Sequence, residues 1–390
     1  MRDVVVIGVG MHPFGRHMDK TLADLGQVAI WDAIRDAGIA AKDIQVAYFG
    51  NSVGGLITGQ EGVRGQTVLA PNGIRGIPVV NVENACASGT TAFRGVWLEI
   101  ASGLCDVGLA IGVEKLFCGD TARSAAALAT DSEIALAELG FSFTSSYAME
   151  LKEYMDKYHI TQRQFAKVVE KNSYNGSLNP YAQYQQARTV DEVLNSKMIA
   201  WPLTLYMCAP MSDGAAAAIL CSKEVARKYT SKPLIKIAAS EMISGIYRPP
   251  NDTNPSLPTI AAENAYKKAG IGPEDVNVAE VHDAMAPAEL HYYEELGFCK
   301  PGEGGRMIDE RRTWIDGDIA VNPSGGLTAK GHPVGATGLA QISEIVWQLR
   351  GEAGKRQVKK RNFGLTQNSG GWVDGDPATT TVTILKRITD

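Results

Sequence analysis

The stretch Ala33-Ile34-Arg35-Asp36-Ala37-Gly38-Ile39 recurs, in altered form, as Ala265-Tyr266-Lys267-Lys268-Ala269-Gly270-Ile271. The aspartate at 43 and the Val-Ala pair at 46–47 recur at 275 and 278–279, so that seven identities share one offset of 232 residues. Each copy is typical of a helix that ends at a glycine, followed by a short turn and an apolar strand. Because chance does not produce so many matches at one offset, the pattern indicates an internal duplication.

The duplication predicts an α/β protein with two similar halves, residues 1–225 and 230–390. Strands are expected at residues 4–9, 46–49, 79–82, 107–111, 215–220, 235–239, 278–281 and 380–385. Helices are expected between them, for example at 22–37, 90–101, 260–269 and 338–349. This alternation favours mostly parallel sheets with helices on both faces. Residues 115–210 are interpreted as an inserted loop domain, which either supplies substrate contacts or only extends the surface.

Composition and charge narrow the class of protein. The 390 residues are 45% hydrophobic and 21% charged, which is typical of a globular enzyme. A formal charge of −5 argues against a nucleic-acid partner. No apolar run approaches the roughly 18 residues of a membrane span, so no membrane association is expected. The six cysteines include no CxxC pair, which favours reduced thiols in a cytoplasmic protein.

One cysteine follows the third expected strand, in Asn81-Val82-Glu83-Asn84-Ala85-Cys86-Ala87-Ser88-Gly89-Thr90. We expect Cys86 on a turn between this strand and a helix, where small neighbours leave its sulfur accessible. The positive end of the helix dipole would favour the thiolate, which is the nucleophilic form of cysteine. On these residues alone, an inert buried cysteine remains the alternative.

Two glycine-rich segments lie close together in the sequence, and the second contains His332. They are Asn322-Pro323-Ser324-Gly325-Gly326 and Gly331-His332-Pro333-Val334-Gly335-Ala336-Thr337-Gly338. Glycine loses more backbone freedom on folding than other residues, so such a composition suits a loop that approaches a ligand or another segment closely. His332 at the start of a helix could accept a proton from a thiol or donate to an oxyanion, with Asn322 supporting the oxyanion site or the loop. The alternative is a capping histidine in a tight turn.

The repeated strand of the second half ends in Val281-His282-Asp283-Ala284-Met285. Polar residues at the carboxyl end of a parallel strand commonly face a crevice, which makes His282 a candidate site residue. By the repeat, His282-Asp283 corresponds to Gly50-Asn51 in the first half. The alternative is a histidine that only bonds its neighbouring carboxylate.

Taken together, these segments resemble the thiolase superfamily in order and spacing. They are the Cys86 segment, the Ser212–Ala218 strand, His282-Asp283 and the loop at 331–338, within a resemblance that runs from Val4 to Leu385. The branch resembled is the sterol-carrier-protein-type and archaeal acetyl-CoA acetyltransferase-like one, which has His-Asp where other thiolases have Asn-Glu. The resemblance implies the thiolase fold, with the two halves in helix-sheet-helix-sheet-helix layers and a loop domain inserted at about 115–210.

The resemblance also implies an activity, that of an acyl-CoA C-acyltransferase acting on a 3-oxoacyl-CoA. Cys86 would attack the 3-ketone, and the thiol of a second CoA would resolve the acyl-enzyme. His332 would activate Cys86, and His332 and His282 would stabilise the thioester oxyanion. The backbone amides of Cys86 and Gly370 would form a second oxyanion hole, and loss of one such donor costs roughly 10²–10³ in rate.

The sequence departs from the family at the second catalytic cysteine. Ala284 stands where the resembled branch has it, and Gln367-Asn368-Ser369 stands in the other family position. His282, Asp283, a water or a group on the substrate would then protonate the leaving carbanion, and the residues do not decide among them. The departure leaves several activities open. These are thiolysis of a bulky or unusual 3-oxoacyl-CoA (for example by a benzoylsuccinyl-CoA thiolase-like enzyme), ketoacyl-synthase-like condensation, retro-aldol cleavage of a CoA ester, and an inactive subunit.

Cofactor and partner expectations follow from the resemblance. CoA is expected as co-substrate, with no tightly bound cofactor, and the protein is expected to form a homodimer or higher oligomer. A small accessory subunit with a zinc ribbon and an OB fold is a further expected partner. The Gly8-Val9-Gly10 fragment lacks the spacing of an NAD fingerprint. Likewise His12, His17, His159 and His291 lack the spacing of zinc ligands, so no metal is expected.

Overall fold

Strands and helices alternate along most of the chain in the computed structural model, which describes residues 2–249, 252 and 254–388. The described strands are β1 (Val4–Met11), β2 (Val46–Gly50), β3 (Val79–Val82), β4 (Val107–Glu114), β5 (Met198–Ala200), β6 (Leu203–Thr204), β7 (Gly214–Ser222), β8 (Ile235–Ser244), β9 (Val278–Glu280), β10 (Ala320–Val321), β11 (Phe363–Gly370) and β12 (Thr379–Arg387). The described helices are α1 (Leu22–Ala37), α2 (Gly54–Thr58), α3 (Arg64–Leu69), α4 (Ser88–Ser102), α5 (Thr121–Ala129), α6 (Ile134–Glu138), α7 (Phe143–Tyr158), α8 (Gln162–Ser177), α9 (Val190–Leu194), α10 (Lys223–Ala226), α11 (Leu257–Ala269), α12 (Ala288–Glu295), α13 (Gly304–Asp309), α14 (Gly326–Lys330) and α15 (Val334–Arg350).

The sheet shows the duplication directly. Its order is β10-β9-β11-β12-β8-β1-β7-β4-β2-β3, so each half contributes five consecutive strands. Read from the middle outward, the first half is β1-β7-β4-β2-β3 and the second is β8-β12-β11-β9-β10. Each strand of one half therefore has a counterpart at the same place in the other. The halves meet at the short antiparallel pairing of Val5 with Lys236 and Val6 with Ile235.

The expectation of mostly parallel sheets is wrong. In each half two pairings are parallel and two are antiparallel, and the junction between β1 and β8 is antiparallel as well. The reason is that an apolar run reports burial on both faces and not strand direction. β7, for example, is buried along its whole length yet runs antiparallel to both of its neighbours.

Helices cover the sheet in the layered order that the resemblance implied. α1 packs on β1, β4 and β7, whereas α11 packs on β8 and β12. Between the two halves lies α15, which contacts β4 and β7 of the first half as well as β9 and β11 of the second. α4 packs beside α15. The layers are therefore helix, half-sheet, helix, half-sheet, helix, and both half-sheets belong to the one ten-stranded sheet.

The amino ends of α4 and α15 approach each other closely because both carry glycine. A Cβ added at Gly89 would lie 2.9 Å from the carbonyl oxygen of Gly335, and one at Gly338 would lie 2.8 Å from the backbone nitrogen of Thr90. A larger residue at either position would push the helices apart. This contact brings the segments that precede the two helices to the same place.

Residues between β4 and β7 form helices α5–α9 and the β5–β6 hairpin, in the region interpreted as an insertion. In the second half β11 is instead followed directly by β12 through residues 371–378. None of the described helices is both long and apolar enough to span a bilayer.

Candidate active site

The candidate nucleophile lies on a short 3-10 turn, Ala85–Ala87, between β3 and α4. The hydroxyl of Ser88 holds this turn, because it accepts from the backbone N–H of Asn84 at 2.9 Å and donates to the carbonyl of Ala85 at 2.7 Å. Ala85 has a positive φ of 49°, so the backbone bends sharply just before Cys86. The strand, turn and helix lie where the sequence placed them.

His332 faces this sulfur, although the two residues are 246 positions apart in the chain. Its Nε2 lies 3.3 Å from Cys86 Sγ, and its Nδ1 lies 2.8 Å from Thr337 Oγ1. The hydroxyl of Thr337 donates to the carbonyl oxygen of Pro333 at 3.1 Å. The single hydroxyl proton is therefore used, and Thr337 accepts from Nδ1–H of the imidazole. This tautomer leaves the lone pair of Nε2 directed at the thiol.

His282 completes the cluster from the end of β9. Its ring centroid is 5.1 Å from that of His332, in an edge-to-face arrangement. Neither ring nitrogen has a hydrogen-bond partner among the described residues, although the side chain is buried. Burial lowers the pKa of His282 to about 4, so the ring is neutral at physiological pH. A neutral imidazole with no internal partner is ready to donate one N–H to a bound ligand.

A buried polar network holds the segment that carries His282. Asp283 accepts from the backbone N–H of Leu327 at 2.7 Å and from the side chain of Asn172 at 2.9 Å. Asn322 accepts from the backbone N–H of Val281 at 2.8 Å and donates to Glu289 at 2.7 Å. Both polar atoms of the Asn322 side chain are thus used within the scaffold. The geometry favours loop support over oxyanion binding for this residue.

Gly370, the other expected oxyanion residue, lies against the Cys86 turn. A Cβ at Gly370 would come within 2.3 Å of the carbonyl oxygen of Asn84 and 2.9 Å of the backbone nitrogen of Cys86. Only glycine permits this approach. The backbone of Gly370 and the amide of Cys86 are consequently adjacent, as an oxyanion hole built from both requires.

The protonation states of Cys86 and His332 differ from those expected from the sequence. Burial, followed by the charges of Asp131 and Glu114, raises the pKa of the Cys86 thiol well above its usual value. Burial, followed by the neighbouring His282 and Lys330, holds the pKa of His332 well below its usual value. The expectation that the helix dipole yields a thiolate in the resting site is therefore wrong. The resting pair is a thiol and a neutral imidazole.

The side chains of Cys86, His282 and His332 open onto a cavity of about 480 Å³. Its wall is mainly apolar and aromatic, with Phe143 and Tyr147 from the inserted region, Tyr292 from α12 and Trp372 after β11. None of these residues stands out in the sequence, because nothing in the local sequence of α7 or α12 distinguishes a cavity wall from an ordinary packed face.

A carboxyl group that sequence reasoning missed also lines the cavity. Asp131 follows α5, and its Oδ1 accepts from Ser52 Oγ at 2.8 Å, whereas its buried Oδ2 has no hydrogen-bond partner in the described structure. Burial raises the pKa of Asp131 to about 8. An isolated aspartate in a helical, loop-rich region gives no signal in the sequence.

Metal binding is the other chemistry that this geometry permits. The sulfur of Cys86 and one nitrogen each of His282 and His332 lie within 4.8 Å of one another, and together they offer a ligand set suited to zinc. The histidines whose spacing was considered for zinc in the sequence were others. A metal held here would engage the sulfur lone pairs that a nucleophile needs, so the absence of a metal stays a prediction.

Comparison with known proteins identifies the family to which this chain belongs. The family described as "Thiolase, N-terminal domain" matches residues 4–224, and "Thiolase C-terminal domain-like" matches residues 250–387. The chain belongs to the thiolase family. The resemblance proposed from the sequence is thereby confirmed.

Relatives of this thiolase carry three kinds of name. An "Acetyl-CoA acetyltransferase" of Methanothermobacter thermautotrophicus is 44% identical over 95% of this chain and 97% of its own. The "Benzoylsuccinyl-CoA thiolase subunit BbsB" of Thauera aromatica is 38% identical over 92% of each chain. "Sterol carrier protein 2" of Bos taurus is 38% identical over 94% of this chain and 70% of its own.

Solved structures confirm the thiolase fold. The structure described as "Ltp2-ChsH2(DUF35) aldolase" superposes with a TM-score of 0.82 at 24% identity, covering 99% of this chain and 98% of its own. Human mitochondrial 3-ketoacyl-CoA thiolase in complex with CoA superposes with a TM-score of 0.74 at 18% identity, covering 100% and 98%.

Proposed function

We propose that this thiolase is an acyl-CoA C-acyltransferase that cleaves a 3-oxoacyl-CoA with CoA, through an acyl group carried on Cys86. The observation that carries the proposal is the 3.3 Å contact between Cys86 Sγ and His332 Nε2 at the wall of a cavity large enough for an acyl group. Relatives named acetyl-CoA acetyltransferase and benzoylsuccinyl-CoA thiolase support the same reaction class.

In the first step, the sulfur of Cys86 attacks the 3-ketone carbon while its proton passes to His332. Because the thiol has a raised pKa and the imidazole a lowered one, this transfer occurs during attack and not before substrate binds. The hydroxyl of Thr337 supports the transfer, because it holds Nδ1–H and so fixes the tautomer. The tetrahedral oxyanion forms beside the amides of Cys86 and Gly370.

Collapse of this adduct breaks the carbon–carbon bond and leaves negative charge on the thioester oxygen of the departing acyl-CoA. His282 and His332 are the donors positioned for that oxygen, because their rings lie edge to face at the same wall of the cavity. The thiol of a second CoA then attacks the acyl group on Cys86. The Cys86 sulfur leaves and recovers its proton from His332.

The cavity favours a large acyl group. Its volume of about 480 Å³ is far more than an acetyl group fills, and aromatic side chains from α7 and α12 line the same cavity as the reacting sulfur. We therefore propose a bulky or ring-containing 3-oxoacyl-CoA as the substrate. One relative is named for benzoylsuccinyl-CoA, an acyl group with such a ring.

The other activities make different demands on the site. A retro-aldolase needs no acyl-cysteine, so the paired Cys86 and His332 would have no role in it. Condensation runs through the same acyl-Cys86 in the opposite direction. An inactive subunit would require no paired thiol and imidazole. Thiolysis accounts for all three clustered side chains together.

Assembly and location belong to the same proposal. We retain a homodimer or higher oligomer, a small accessory subunit with a zinc ribbon and an OB fold, and a cytoplasmic location. The halves 1–225 and 230–390, with the insertion at about 115–210, are likewise retained as folding units. The word "subunit" in the name of the Thauera aromatica relative supports an assembly. Light scattering of the purified protein tests the oligomer, and a lone, fully active monomer would contradict it.

The activity is tested with a series of 3-oxoacyl-CoAs whose acyl groups grow from acetoacetyl to aromatic, each mixed with CoA. We expect two thioester products, faster turnover with the larger acyl groups, and no products with the Cys86→Ser variant. Unchanged product formation by Cys86→Ser would refute an acyl-cysteine and favour the aldol reaction.

A further inference from the structure

The cleavage reaction needs a proton donor that the family provides by a second cysteine and this chain lacks. The departing acyl-CoA leaves as an enolate, and its α-carbon must take a proton. Ala284 and Gln367-Asn368-Ser369 occupy the two positions where that cysteine would stand. The donor must therefore be another side chain at the cavity, a water molecule or a group on the substrate.

Two of the groups considered from the sequence are unsuitable in the structure. Asp283 does not line the cavity, and both of its carboxylate oxygens are bound to Leu327 and Asn172 in the buried network. His282 faces the cavity, but burial lowers its pKa to about 4. At neutral pH it therefore carries only the proton of a neutral imidazole, which it releases very reluctantly.

We propose that Asp131 is the proton donor to the leaving enolate and the base that later receives the proton of the incoming CoA thiol. This assignment rests on the proposed thiolytic function. Three observations support this role for Asp131, namely its position on the cavity wall, its free carboxyl oxygen and its proximity to the nucleophile.

The position of Asp131 is fixed from two sides. Its Oδ1 accepts from the hydroxyl of Ser52, in the segment that follows β2. Its backbone carbonyl accepts from the N–H of Trp372 at 3.0 Å. Oδ2 is left buried at the cavity wall, without a partner among the described residues. The carboxyl group is thus oriented by one oxygen and available through the other.

Asp131 also lies beside the Cys86 turn. A Cβ at Gly371 would sit 2.9 Å from the carbonyl oxygen of Asp131 and 3.7 Å from Cβ of Ala85, so a single residue separates the two segments. Among nearby charges, that of Asp131 acts most strongly on the pKa of the Cys86 thiol. No other carboxyl group in the described part of the cavity wall combines a buried, unpartnered oxygen with this closeness to the sulfur.

The protonation state suits a donor. Burial raises the pKa of Asp131 to about 8, the neighbouring carboxylates Glu114 and Glu83 raise it further, and the bond from Ser52 lowers it. The cation Arg64 binds the carbonyl of Ser52 and lowers the pKa of Glu114 in turn. Below about pH 8 Asp131 carries its proton and can give it up, whereas above that pH the carboxylate cannot.

The proton count closes over one turnover. The Cys86 proton moves to His332 as the carbon–sulfur bond forms. The carbon–carbon bond breaks, and the enolate carbon takes the proton of Asp131, which becomes a carboxylate. The thiol of CoA gives its proton to that carboxylate as it attacks the acyl group. Cys86 leaves with the proton of His332, and both acids return to their starting states.

The test isolates the cleavage step by single turnover. Enzyme in excess is mixed with the 3-oxoacyl-CoA that wild type cleaves fastest, without added CoA, and the short acyl-CoA released is measured. We expect Asp131→Asn to slow this release by about 100-fold or more, and the loss of wild-type rate above about pH 8 to disappear. Asp120→Asn is the matched control. Asp120 only caps α5, asparagine caps equally well, and the rate should be unchanged.

A second variant keeps the proposal testable if Asp131→Asn does not fold. Ser52→Ala removes a hydrogen bond that lowers the pKa of Asp131, so the pKa rises and the alkaline loss of activity should move to higher pH. Release by Asp131→Asn within about threefold of wild type, or an unmoved alkaline limb in Ser52→Ala, would overturn the assignment. If wild type releases no short acyl-CoA from any member of the series, the proposed function itself fails.

Discussion

The segment after β3 and the segment after β10 occupy equivalent places in the two halves, yet they carry different chemistry. In the first half a short turn places Cys86 just before α4. In the second half a longer, glycine-rich segment places His332 just before α15. The duplication thus provides two strand-loop-helix corners that meet at the centre of the molecule. Divergence made one corner the nucleophile and the other its base.

The segments that follow β2 and β9 offer a second comparison between the two halves. After β2, the side-chain amide of Asn51 donates to the carbonyl of Val113 at 2.7 Å and to Glu114 at 2.9 Å. After β9, the ring of His282 has no such partner in the described structure and faces the cavity. By the repeat, Asn51 corresponds to Asp283, whose carboxylate the scaffold also binds, whereas His282 corresponds to Gly50. The second half therefore adds a side chain where the first half has none, and the ring nitrogens of His282 remain available for substrate.

The largest expected effect comes from removing the base at the second corner. His332→Ala should lower the turnover number by about 10²–10⁴, because the thiol has a raised pKa and loses its proton acceptor. Alkylation of Cys86 by iodoacetamide at pH 7.5 should slow as well. His17→Ala, on the half-exposed loop after β1, serves as the control. Unchanged alkylation in His332→Ala would show that the two corners act independently.

The buried network under His282 should respond next. Lys171 pairs with Glu289, and both side chains are fully buried, so Lys171→Met should lower the free energy of unfolding by about 3–5 kcal/mol. Lys167→Met on the same helix breaks an exposed pair with Asp309 and should cost about 1 kcal/mol or less. Urea titration measures both. Equal losses would mean that the second half does not depend on this buried pair.

The contact between the two corners should show a smaller loss. Gly89→Ala brings a Cβ within 2.9 Å of a backbone oxygen of Gly335 and should reduce the free energy of unfolding by about 1–3 kcal/mol. At Gly62 a Cβ meets nothing within 4 Å, so Gly62→Ala should change it by roughly 0.5 kcal/mol or less. Two urea curves that coincide with wild type would contradict the close approach of α4 and α15.

The smallest expected effect concerns the tautomer of His332. Thr337→Val removes the acceptor for Nδ1–H, and the turnover number should fall by about tenfold. Thr337→Ser retains the hydroxyl and should stay close to wild type. A steady-state comparison of the two variants decides, and equal rates for valine and serine would show that the hydroxyl has no role in positioning the base.

Local signals in the sequence account for much of the fold. α1 was expected at 22–37 and lies there, because Thr21 caps its start and Gly38 ends it in the left-handed conformation. β11 was missed because Thr366, Gln367, Asn368 and Ser369 do not look like a strand. Several of their buried polar groups are bound within the protein; the side-chain amide of Asn368, for example, donates to Gln341 at 3.0 Å. Such compensation depends on partners far away in the chain.

The candidate site also contains both residues that the sequence marks and residues that it does not. Cys86, His282 and His332 stand in segments that the sequence itself marks as unusual, and the structure brings them within contact of one another. Asp131 gave no signal, because its position depends on Ser52 and on Trp372, which lie far from it in the chain. The protonation state of the thiol was also mistaken, because burial outweighs the helix dipole there.

The acyl-cysteine itself is the most direct measurement. The enzyme is mixed with an aromatic 3-oxoacyl-CoA without CoA, quenched in acid, digested and analysed by mass spectrometry. We expect the acyl group on the peptide that contains Cys86, its disappearance when CoA is added before the quench, and its absence in Cys86→Ser. Cleavage of the substrate with no acyl group on that peptide would contradict an acyl-enzyme mechanism.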